Sequence, residues 1–156
     1  MIGDFSVSSL LEKGDVFSDV RGSTAAEIYD FVCSSAKLPE GLDAQVLKNE
    51  LVQRELVLST AVGNGIAIPH PRRPLLKNTD DARIIVCFPK VPVEMESPDG
   101  LSVYAMFILL SDSTQSHIHT LSALAKLFRD VSFRKILSSK PSKKVLVEEG
   151  GVLPSL

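Results

Sequence analysis

Strong net charge, long hydrophobic runs and export signals are all missing from this sequence of 156 residues. Its 17 basic and 19 acidic side chains leave a formal net charge of −2, so the chain has no strong field to recruit nucleic acid or an anionic membrane. The longest apolar run, Val103 to Leu110, is far short of the roughly 20 residues that span a bilayer. The first fifteen residues show neither the basic start nor the apolar stretch of a signal peptide. These shortages predict a cytoplasmic protein that binds neither nucleic acid nor membranes.

Cysteine is also scarce. Cys33 and Cys87 lie far apart in apolar, periodic segments and form no C-x-x-C pair, which predicts two reduced thiols in the core and no disulfide. Apolar side chains, in contrast, are plentiful: 44% of the residues are hydrophobic, which is enough to build one core. We therefore predict a single domain over residues 1–156.

Helix caps and short apolar runs alternate along the chain. Thr24 and Glu27 form a capping-box pattern at a helix start. Three further helices have N-cap candidates in Asp43, in Ser113 or Thr114, and in Asp130. Short β-branched and aromatic runs bounded by turn residues indicate strands. The predicted strands are 16–20, 82–88 and 101–110, and a last short helix is predicted before Gly150. This interleaving predicts an α/β fold, a three-layer sandwich with a mixed sheet flanked by helices.

The segment GNGIAIPH, residues 63–70, ends an extended apolar run in a histidine. Gly63 and Gly65 permit tight backbone geometry before the run. Pro69 has a fixed φ and drives the residue before it toward an extended conformation. His70 is therefore held in place at the end of a strand-like segment.

The other two histidines belong to the helix predicted over residues 114–129. At about 100° per residue, the apolar side chains of that helix average within about 40° of His117, and His119 points roughly 160° away from His117. His117 is therefore predicted to face the protein and His119 to face water. The apolar residues used are Ile118, Leu121, Leu124, Ala125 and Phe128.

His117 lies in the first turn of its helix, directly after the strand predicted at 101–110. Ligands of α/β sheets gather beyond the carboxyl ends of strands, and a helix N-terminus there offers N–H groups to an anion. If the extended segment before His70 lies beside that strand, His70 and His117 meet at one edge of the sheet.

Several chemistries use paired histidines, and the sequence separates them. Zinc needs three or four converging ligands, whereas His117 and His119 diverge on a helix, so a zinc protein is kept as a remote alternative. Acyl transfer lacks a nucleophile elbow or an activated thiol, and phosphoryl transfer from ATP lacks a full phosphate loop and magnesium carboxylates. A neutral imidazole that accepts a phosphoryl group remains, and it requires no metal, nucleotide or other cofactor. The candidate donors to the phosphoryl oxygens are Arg54, His117 and the backbone amides of Gly63, Asn64 and Gly65.

The string RELVLSTAVGNGIAIPH, residues 54–70, resembles enzyme IIA of the phosphoenolpyruvate-dependent sugar phosphotransferase system, of the mannitol, fructose and nitrogen-regulatory type (EIIA type 2). Members of that family carry an Arg-Glu pair, a Ser-Thr turn and G-x-G-I-A-I-P-H with the phosphorylated histidine. A second family element, a histidine that opens a Leu- and Ala-rich helix, is similar to HIHTLSALAKLF from His117. The resemblance implies an α/β sandwich around a mixed five-stranded sheet. It also implies that His70 is phosphorylated, that His117 supports it and that Arg54 lies near the phosphoryl group.

Several residues around the motif allow more than one interpretation. Ser59 and Thr60 are candidate phosphate contacts, although such residues most often cap or turn the chain. Arg72 and Arg73 are either solvated or in contact with an acidic partner. Pro71 departs from the family, in which a small residue such as Gly is usual at this position, and it removes a backbone N–H.

The resemblance implies a phosphocarrier that takes a phosphoryl group from a phosphorylated HPr-like protein onto His70. The nitrogen-regulatory branch is favoured, in which phosphorylation switches binding to target proteins by adding about −2 charge. The alternative is a fructose or mannitol transport component that passes the phosphoryl group to an enzyme IIB.

Overall fold

The computed structural model describes residues 6–151, and within them six α-helices surround one sheet of five strands. The helices are α1 (Val7–Lys13), α2 (Ala25–Ser35), α3 (Ala44–Val57), α4 (Thr114–Arg129), α5 (Val131–Leu137) and α6 (Lys143–Gly150). The strands are β1 (Val16–Val20), β2 (Ala61–Gly63), β3 (Ile66–Ala67), β4 (Arg83–Pro89) and β5 (Ala105–Leu110).

The sheet is mixed, with the strand order β1-β4-β5-β3-β2. β1 runs parallel to β4, and β3 runs parallel to β5. The β4–β5 and β2–β3 pairs are antiparallel. The carboxyl ends of β3 and β5 therefore lie together. We call this the histidine end of the sheet, because His70 follows β3 and His117 follows β5; the turn end, which lies opposite, carries the β2–β3 turn.

Strands β4 and β5 form the centre of the core. All six residues of β5 are buried, and so is β4 from its second residue onward. Strands that are covered on both faces have continuous apolar sequences without alternation, as in ARIIVCF and AMFILL. The helices fall into two groups in contact, α2 with α3 on one side, and α1 with α4 and α6 on the other, with α5 against α4. This arrangement confirms the predicted three-layer α/β fold.

The predicted helix starts agree with the structure because the cap residues make the expected bonds. Thr24 and Glu27 form a complete capping box at α2. Asp43, Ser113 and Asp130 each accept a backbone N–H at the start of α3, α4 and α5.

Two elements differ from the prediction. Helix α1 is absent from the prediction, although Ser6 caps it and Val7, Leu10 and Leu11 are buried at helical spacing. The strand predicted over 101–110 is shorter, because β5 begins only at Ala105 and the chain before it makes a single isolated bridge from Val103.

One hydrophobic core runs through the residues that the structure describes, from α1 to α6. Cys33 and Cys87 are buried free thiols in that core, and burial raises the pKa of each to about 12. No helix between residues 6 and 151 is both long and apolar enough to cross a membrane. A single domain over residues 1–156 stays a prediction, since residues 1–5 and 152–156 lie outside the described part of the chain.

Candidate functional site

The site is built where two parallel strands end. Ala67 of β3 pairs with Met106 of β5, and the pairing continues beyond β3, where the N–H of Leu109 donates to the carbonyl oxygen of Pro69 at 2.9 Å. The chain leaves β3 through Pro69 into His70, and it leaves β5 into α4. The imidazole rings of His70 and His117 lie 4.6 Å apart between centroids, with 55° between the ring planes. The predicted meeting of the two histidines is therefore confirmed.

The backbone fixes one ring nitrogen of His70. Its Nδ1 lies 2.8 Å from the carbonyl oxygen of Ile68. A carbonyl oxygen only accepts hydrogen bonds, so Nδ1 carries the hydrogen and Nε2 of the neutral ring keeps its lone pair. The backbone thus selects the tautomer of His70 in which Nε2 is the unprotonated ring nitrogen.

Both histidines are uncharged at neutral pH. Burial lowers the pKa of His70, and the nearby Arg54 guanidinium lowers it further, although the bond to Ile68 acts in the opposite direction. The pKa of His117 falls to about 4, first because the ring is buried and then because His70 and Arg54 disfavour a second positive charge. Neutral imidazole is the nucleophilic form, so neither ring has to lose a proton at neutral pH to be in that form.

Helix α4 presents His117 from the border of its buried face. The prediction that His119 faces water agrees with the structure, in which His119 is exposed and His117 is half-buried. Two of the apolar residues used for that prediction do not face the protein: Ile118 is 60% exposed, and Ala125 is exposed as well. The buried face is rotated toward two hydroxyl residues that the apolar pattern does not reveal. Its members are Ser116, Thr120, Leu124, Leu127 and Phe128.

Arg54 reaches the site from the last turn of α3. Its Nη1 donates to the carbonyl oxygen of Leu58, which stands just beyond the end of the helix. This bond turns the guanidinium toward the chain that leads into β2. Its positive charge lowers the pKa of both His70 and His117. The structure therefore brings together the three residues predicted to do the chemistry.

Glu55, next to Arg54, links Tyr29 of α2 to Thr60 before β2, and we call this group of residues the Glu55 corner. Its carboxylate accepts the hydroxyl of the buried Tyr29 at 2.6 Å, the N–H of Thr60 at 2.7 Å and the hydroxyl of Thr60 at 2.8 Å. The carbonyl of Thr60 in turn accepts the N–H of Ile68, two residues before His70. Tyr29 could not be predicted as a neighbour of the site, because its 26-residue separation from Glu55 leaves no local signal in the sequence.

A cavity of about 110 Å³ opens beside the histidine pair. Liquid water occupies about 30 Å³ per molecule, so the cavity has room for a small anionic group. Thr114, the first residue of α4, lines it, which places the N-terminus of a 16-residue helix at the cavity. Its lining residues are His70, Pro71, Arg72, Arg73, Pro74, Leu109, Ser111, Thr114 and His117.

Comparison with known families shows which family this chain belongs to. The family described as "Phosphoenolpyruvate-dependent sugar phosphotransferase system, EIIA 2" matches residues 9–148. The chain belongs to the EIIA type-2 family. Proteins of this family are phosphotransfer components, and the EIIA chain described here is a phosphoryl carrier of that system.

Relatives of this EIIA chain include two proteins named nitrogen regulatory protein. Those of Klebsiella oxytoca and Pseudomonas aeruginosa are each 30% identical over 146 residues, which cover 91% of this chain and 88% and 92% of the relatives. The fructose-specific EIIABC component of Bacillus subtilis is 26% identical over 145 residues, which cover 91% of this chain and 22% of that protein. These two nitrogen regulatory proteins thus match at higher identity than the fructose-specific component and over nearly their whole length.

Solved structures share the fold. Nitrogen regulatory protein IIA-Ntr of Neisseria meningitidis superposes with a TM-score of 0.70 at 24% identity, over 92% of this chain and 94% of that one. The mannitol enzyme IIA of Escherichia coli, solved in complex with phosphorylated enzyme IIB, gives a TM-score of 0.66 at 15% identity, over 96% of both chains.

Two hydroxyl residues predicted as phosphate contacts of this EIIA site are already engaged. The hydroxyl of Ser59 donates to the carbonyl oxygen of Met95 and accepts the N–H of Ala61 at 3.1 Å. Thr60 gives both its N–H and its hydroxyl to Glu55. Both residues lie at the histidine end of the sheet, but their hydroxyl hydrogens are donated within the protein, to the carbonyl oxygen of Met95 and to the carboxylate of Glu55.

The predicted glycine contacts lie at the other end of β3. Asn64 and Gly65 both have positive φ, 58° and 79°, which is the combination of a two-residue type I′ hairpin turn. The carbonyl of Gly65 accepts the N–H of Tyr104 at 2.8 Å, before β5 begins. β3 therefore runs between this turn and His70.

The amide of Asn64 is already bonded, to a carboxylate that lies outside the turn. The N–H of Asn64 donates to Oδ2 of Asp99 at 2.7 Å, and the space beside Gly63 is filled by the same carboxylate. The structure does not bring Gly63, Asn64 and Gly65 to His70, and we leave them out of the proposed site. Their physical role is to form the hairpin that positions β3.

The metal alternative finds no support in the described residues. His117 and His119 point in different directions from α4, as their unequal exposure shows. Between residues 6 and 151, no group of three or more His, Cys, Asp or Glu side chains converges on a common point.

Proposed function

We propose that Nε2 of His70 accepts the phosphoryl group carried by this protein. The lone pair of Nε2 attacks the phosphorus atom of a phosphohistidine on a donor protein. The Nε2–P bond forms while the donor's N–P bond breaks, and that electron pair returns to the donor's ring. Nδ1 keeps its hydrogen throughout and donates it to the carbonyl oxygen of Ile68, so no proton has to be removed from His70. The hydrogen bond from Nδ1 to Ile68 is the observation that carries this assignment.

Arg54 and His117 stabilise the transferred group in this proposal. A phosphoryl group in transfer spreads negative charge over three equatorial oxygens, and fixed donors and cations lower the free energy of that state. Arg54 supplies a permanent positive charge, and the ring of His117, 4.6 Å from that of His70 between centroids, supplies an N–H. Because its pKa is low, the ring of His117 is neutral, and it can donate its N–H without placing a second positive charge near Arg54.

We further propose an HPr-like phosphocarrier as the donor, acting in the cytoplasm, and a nitrogen-regulatory use of the phosphorylated form. Support comes from the higher identity to nitrogen regulatory proteins. Phosphorylation adds about −2 charge at an exposed protein surface, which changes its complementarity to target proteins. Around the site, the exposed apolar side chains of Leu58 and Ile118 provide a surface on which such partners pack.

The direct test is phosphorylation in vitro. The protein is incubated with phosphoenolpyruvate, enzyme I and HPr, and we expect one acid-labile phosphoryl group per chain. His70→Gln should give none, while the control His119→Gln, a histidine of the same type on the exposed side of α4, should match the wild type. An unchanged yield in His70→Gln would refute the assignment.

Sugar transport is the second candidate, and the match to a fructose-specific EIIABC component favours it. The two uses differ in the onward step. The phosphorylated protein is mixed with purified fructose- and mannitol-type enzyme IIB, and transfer is followed on both chains. We expect little transfer and, instead, protein partners whose retention on the immobilised chain depends on phosphorylation. Rapid transfer to an enzyme IIB would favour transport.

A further inference from the structure

The segment after His70 crosses the histidine end of the sheet and is fixed at both sides. Pro71 is buried and lines the cavity. Five residues later, the N–H of the buried Leu76 donates to the carbonyl oxygen of Ser111 at 3.3 Å, just beyond β5. The chain between these anchors holds Arg72 and Arg73 against the cavity beside His70.

Both arginines share one carboxylate. Arg72 approaches Glu50 of α3 with its Nε 3.5 Å from Oε1 and its Nη2 3.5 Å from Oε2, and Nη2 of Arg73 lies 3.8 Å from Oε2. These distances are long for charge-assisted hydrogen bonds, which are about 2.7–2.9 Å. Glu50 is only 12% exposed in its side chain, and its Oε1 has no hydrogen-bond partner. The pair with Arg72 is therefore loose.

Glu50 and Arg54 stand one helical turn apart on α3, so they share a face of that helix. The same small region thus contains His70, three guanidinium groups and the carboxylate of Glu50, while the carboxylate of Glu55 is already bonded to Tyr29 and Thr60. A dianionic phosphoryl group on His70 competes with Glu50 for the guanidinium groups, and it lies in the cavity that Arg72 already lines.

We propose that Arg72 exchanges partners when His70 is phosphorylated, leaving Glu50 for the phosphoryl oxygens. This inference rests on the proposed phosphorylation of His70. Arg72 is 52% exposed and loosely paired, so moving it costs little, and its planar guanidinium can bind two phosphoryl oxygens at once. Arg73 remains on Oε2 of Glu50, which keeps the carboxylate paired. Glu50 is then an internal competitor that sets how strongly the protein retains its phosphoryl group.

The test is a double-mutant cycle on the phosphoryl-exchange equilibrium. Purified phosphorylated HPr and this protein are mixed, and the equilibrium constant for phosphoryl transfer is measured by ³¹P NMR. We expect Arg72→Gln to lower the constant and Glu50→Gln to raise it, each by about threefold to tenfold, the range of one or two loose charge pairs. In the Arg72→Gln background, Glu50→Gln should have almost no effect. Arg129→Gln, an exposed arginine at the far end of α4, serves as the matched control.

Each other outcome overturns the inference. If Glu50→Gln raises the constant equally with and without Arg72, the carboxylate acts only through its general field and no exchange takes place. If Arg72→Gln leaves the constant unchanged, Arg72 does not bind the phosphoryl group. Failure of the proposed function is distinguishable, because then the wild-type protein itself takes no phosphoryl group from phosphorylated HPr.

A spectroscopic measurement on the folded wild-type protein separates binding from a structural role. The side-chain Nε–H signals of the arginines are recorded in ¹⁵N-labelled protein before and after phosphorylation. Arg72 should shift strongly and Arg129 should stay in place. A spectrum in which the Arg72 signal does not change on phosphorylation would overturn the exchange.

Discussion

The two ends of strand β3 treat their polar groups differently. At the turn end, the N–H of Asn64 is bonded to Asp99, and Asp99 also accepts the hydroxyl of Ser97 and the N–H of Leu101. At the histidine end, the backbone takes only Nδ1 of His70 and leaves its other ring nitrogen beside a cavity. Polar groups that are bonded to each other within the protein stabilise the fold. A fixed imidazole whose second nitrogen lies beside a cavity can instead interact with a partner.

This contrast explains why one short motif serves two purposes. In GNGIAIPH, the first three residues form the hairpin turn, and the last is the proposed phosphoryl acceptor. A few extended residues separate them, at about 3.3 Å each. Changes at the turn should therefore act on the free energy of unfolding, and changes at the histidine end should act on phosphoryl transfer.

Among changes that leave the proposed acceptor His70 in place, the largest effect is expected from His117→Gln. Removing one preorganised donor to a developing oxyanion slows a reaction by about 100-fold, so phosphoryl uptake from HPr should slow by about that factor. His117 is half-buried at the border of α4, so the urea midpoint at pH 7.5 should change little. Stopped-flow transfer kinetics and urea unfolding check both halves. A large loss of stability with an unchanged transfer rate would mean that His117 stabilises the fold and does not assist phosphoryl transfer.

The next largest effect is expected at the turn end, from Gly65→Ala. A Cβ there would stand 2.6 Å from Cδ1 of Tyr104, and φ is +79°, so we expect a loss of about 2–3 kcal/mol in the free energy of unfolding. Gly41→Ala is the matched control, because Gly41 also has a positive φ, +90°, but open space around it. Its cost should be only about 1 kcal/mol.

Urea unfolding measures this comparison, and transfer kinetics complete it. The folded fraction of Gly65→Ala should accept phosphoryl groups at the wild-type rate within about twofold, given its distance along β3 from His70. If Gly65→Ala is as stable as Gly41→Ala but transfers slowly, the turn belongs to the site after all.

Much of the fold could be predicted from local sequence, since caps and apolar runs are local signals. Thr24, Asp43 and Ser113 bond to the helix starts that follow them. The meeting of His70 and His117 could also be predicted, because it depends on strands ending at a common place. The turn amides could not, because the same glycines suit a phosphate loop and a hairpin, and only the register with Tyr104 decides between them.

The Glu55 corner depends on contacts far apart in the chain, and Tyr29→Phe tests its weight. This change removes the hydroxyl that donates to the Glu55 carboxylate, and a buried bond to a charged group contributes about 1.5–2 kcal/mol. The transfer rate should fall less than for His117→Gln, because Arg54 is displaced only indirectly. Urea unfolding of Tyr29→Phe beside Tyr104→Phe, a half-buried tyrosine outside this corner, provides the comparison.

The smallest effect is expected from pH. The folded pKa of His117 is about 4, below the ordinary value of about 6.5 in the unfolded chain. The unfolded state therefore binds the proton first, so stability is full above about pH 6.5 and falls as the pH approaches 4. Between pH 7 and pH 5 the wild type should lose about 1 kcal/mol more than His117→Gln, after allowance for partial exposure. Equal losses in the two proteins would mean that His117 is not held neutral.

The proposal that Nε2 of His70 accepts the phosphoryl group is tested most directly by locating the phosphorylated nitrogen on the imidazole ring. The protein labelled with ¹⁵N is phosphorylated by HPr, and ³¹P–¹⁵N couplings and histidine ring shifts are recorded by NMR. We expect a coupling to Nε2 of His70, with Nδ1 still protonated and bonded to Ile68. A coupling to Nδ1 of His70, or to a nitrogen of His117, would contradict it.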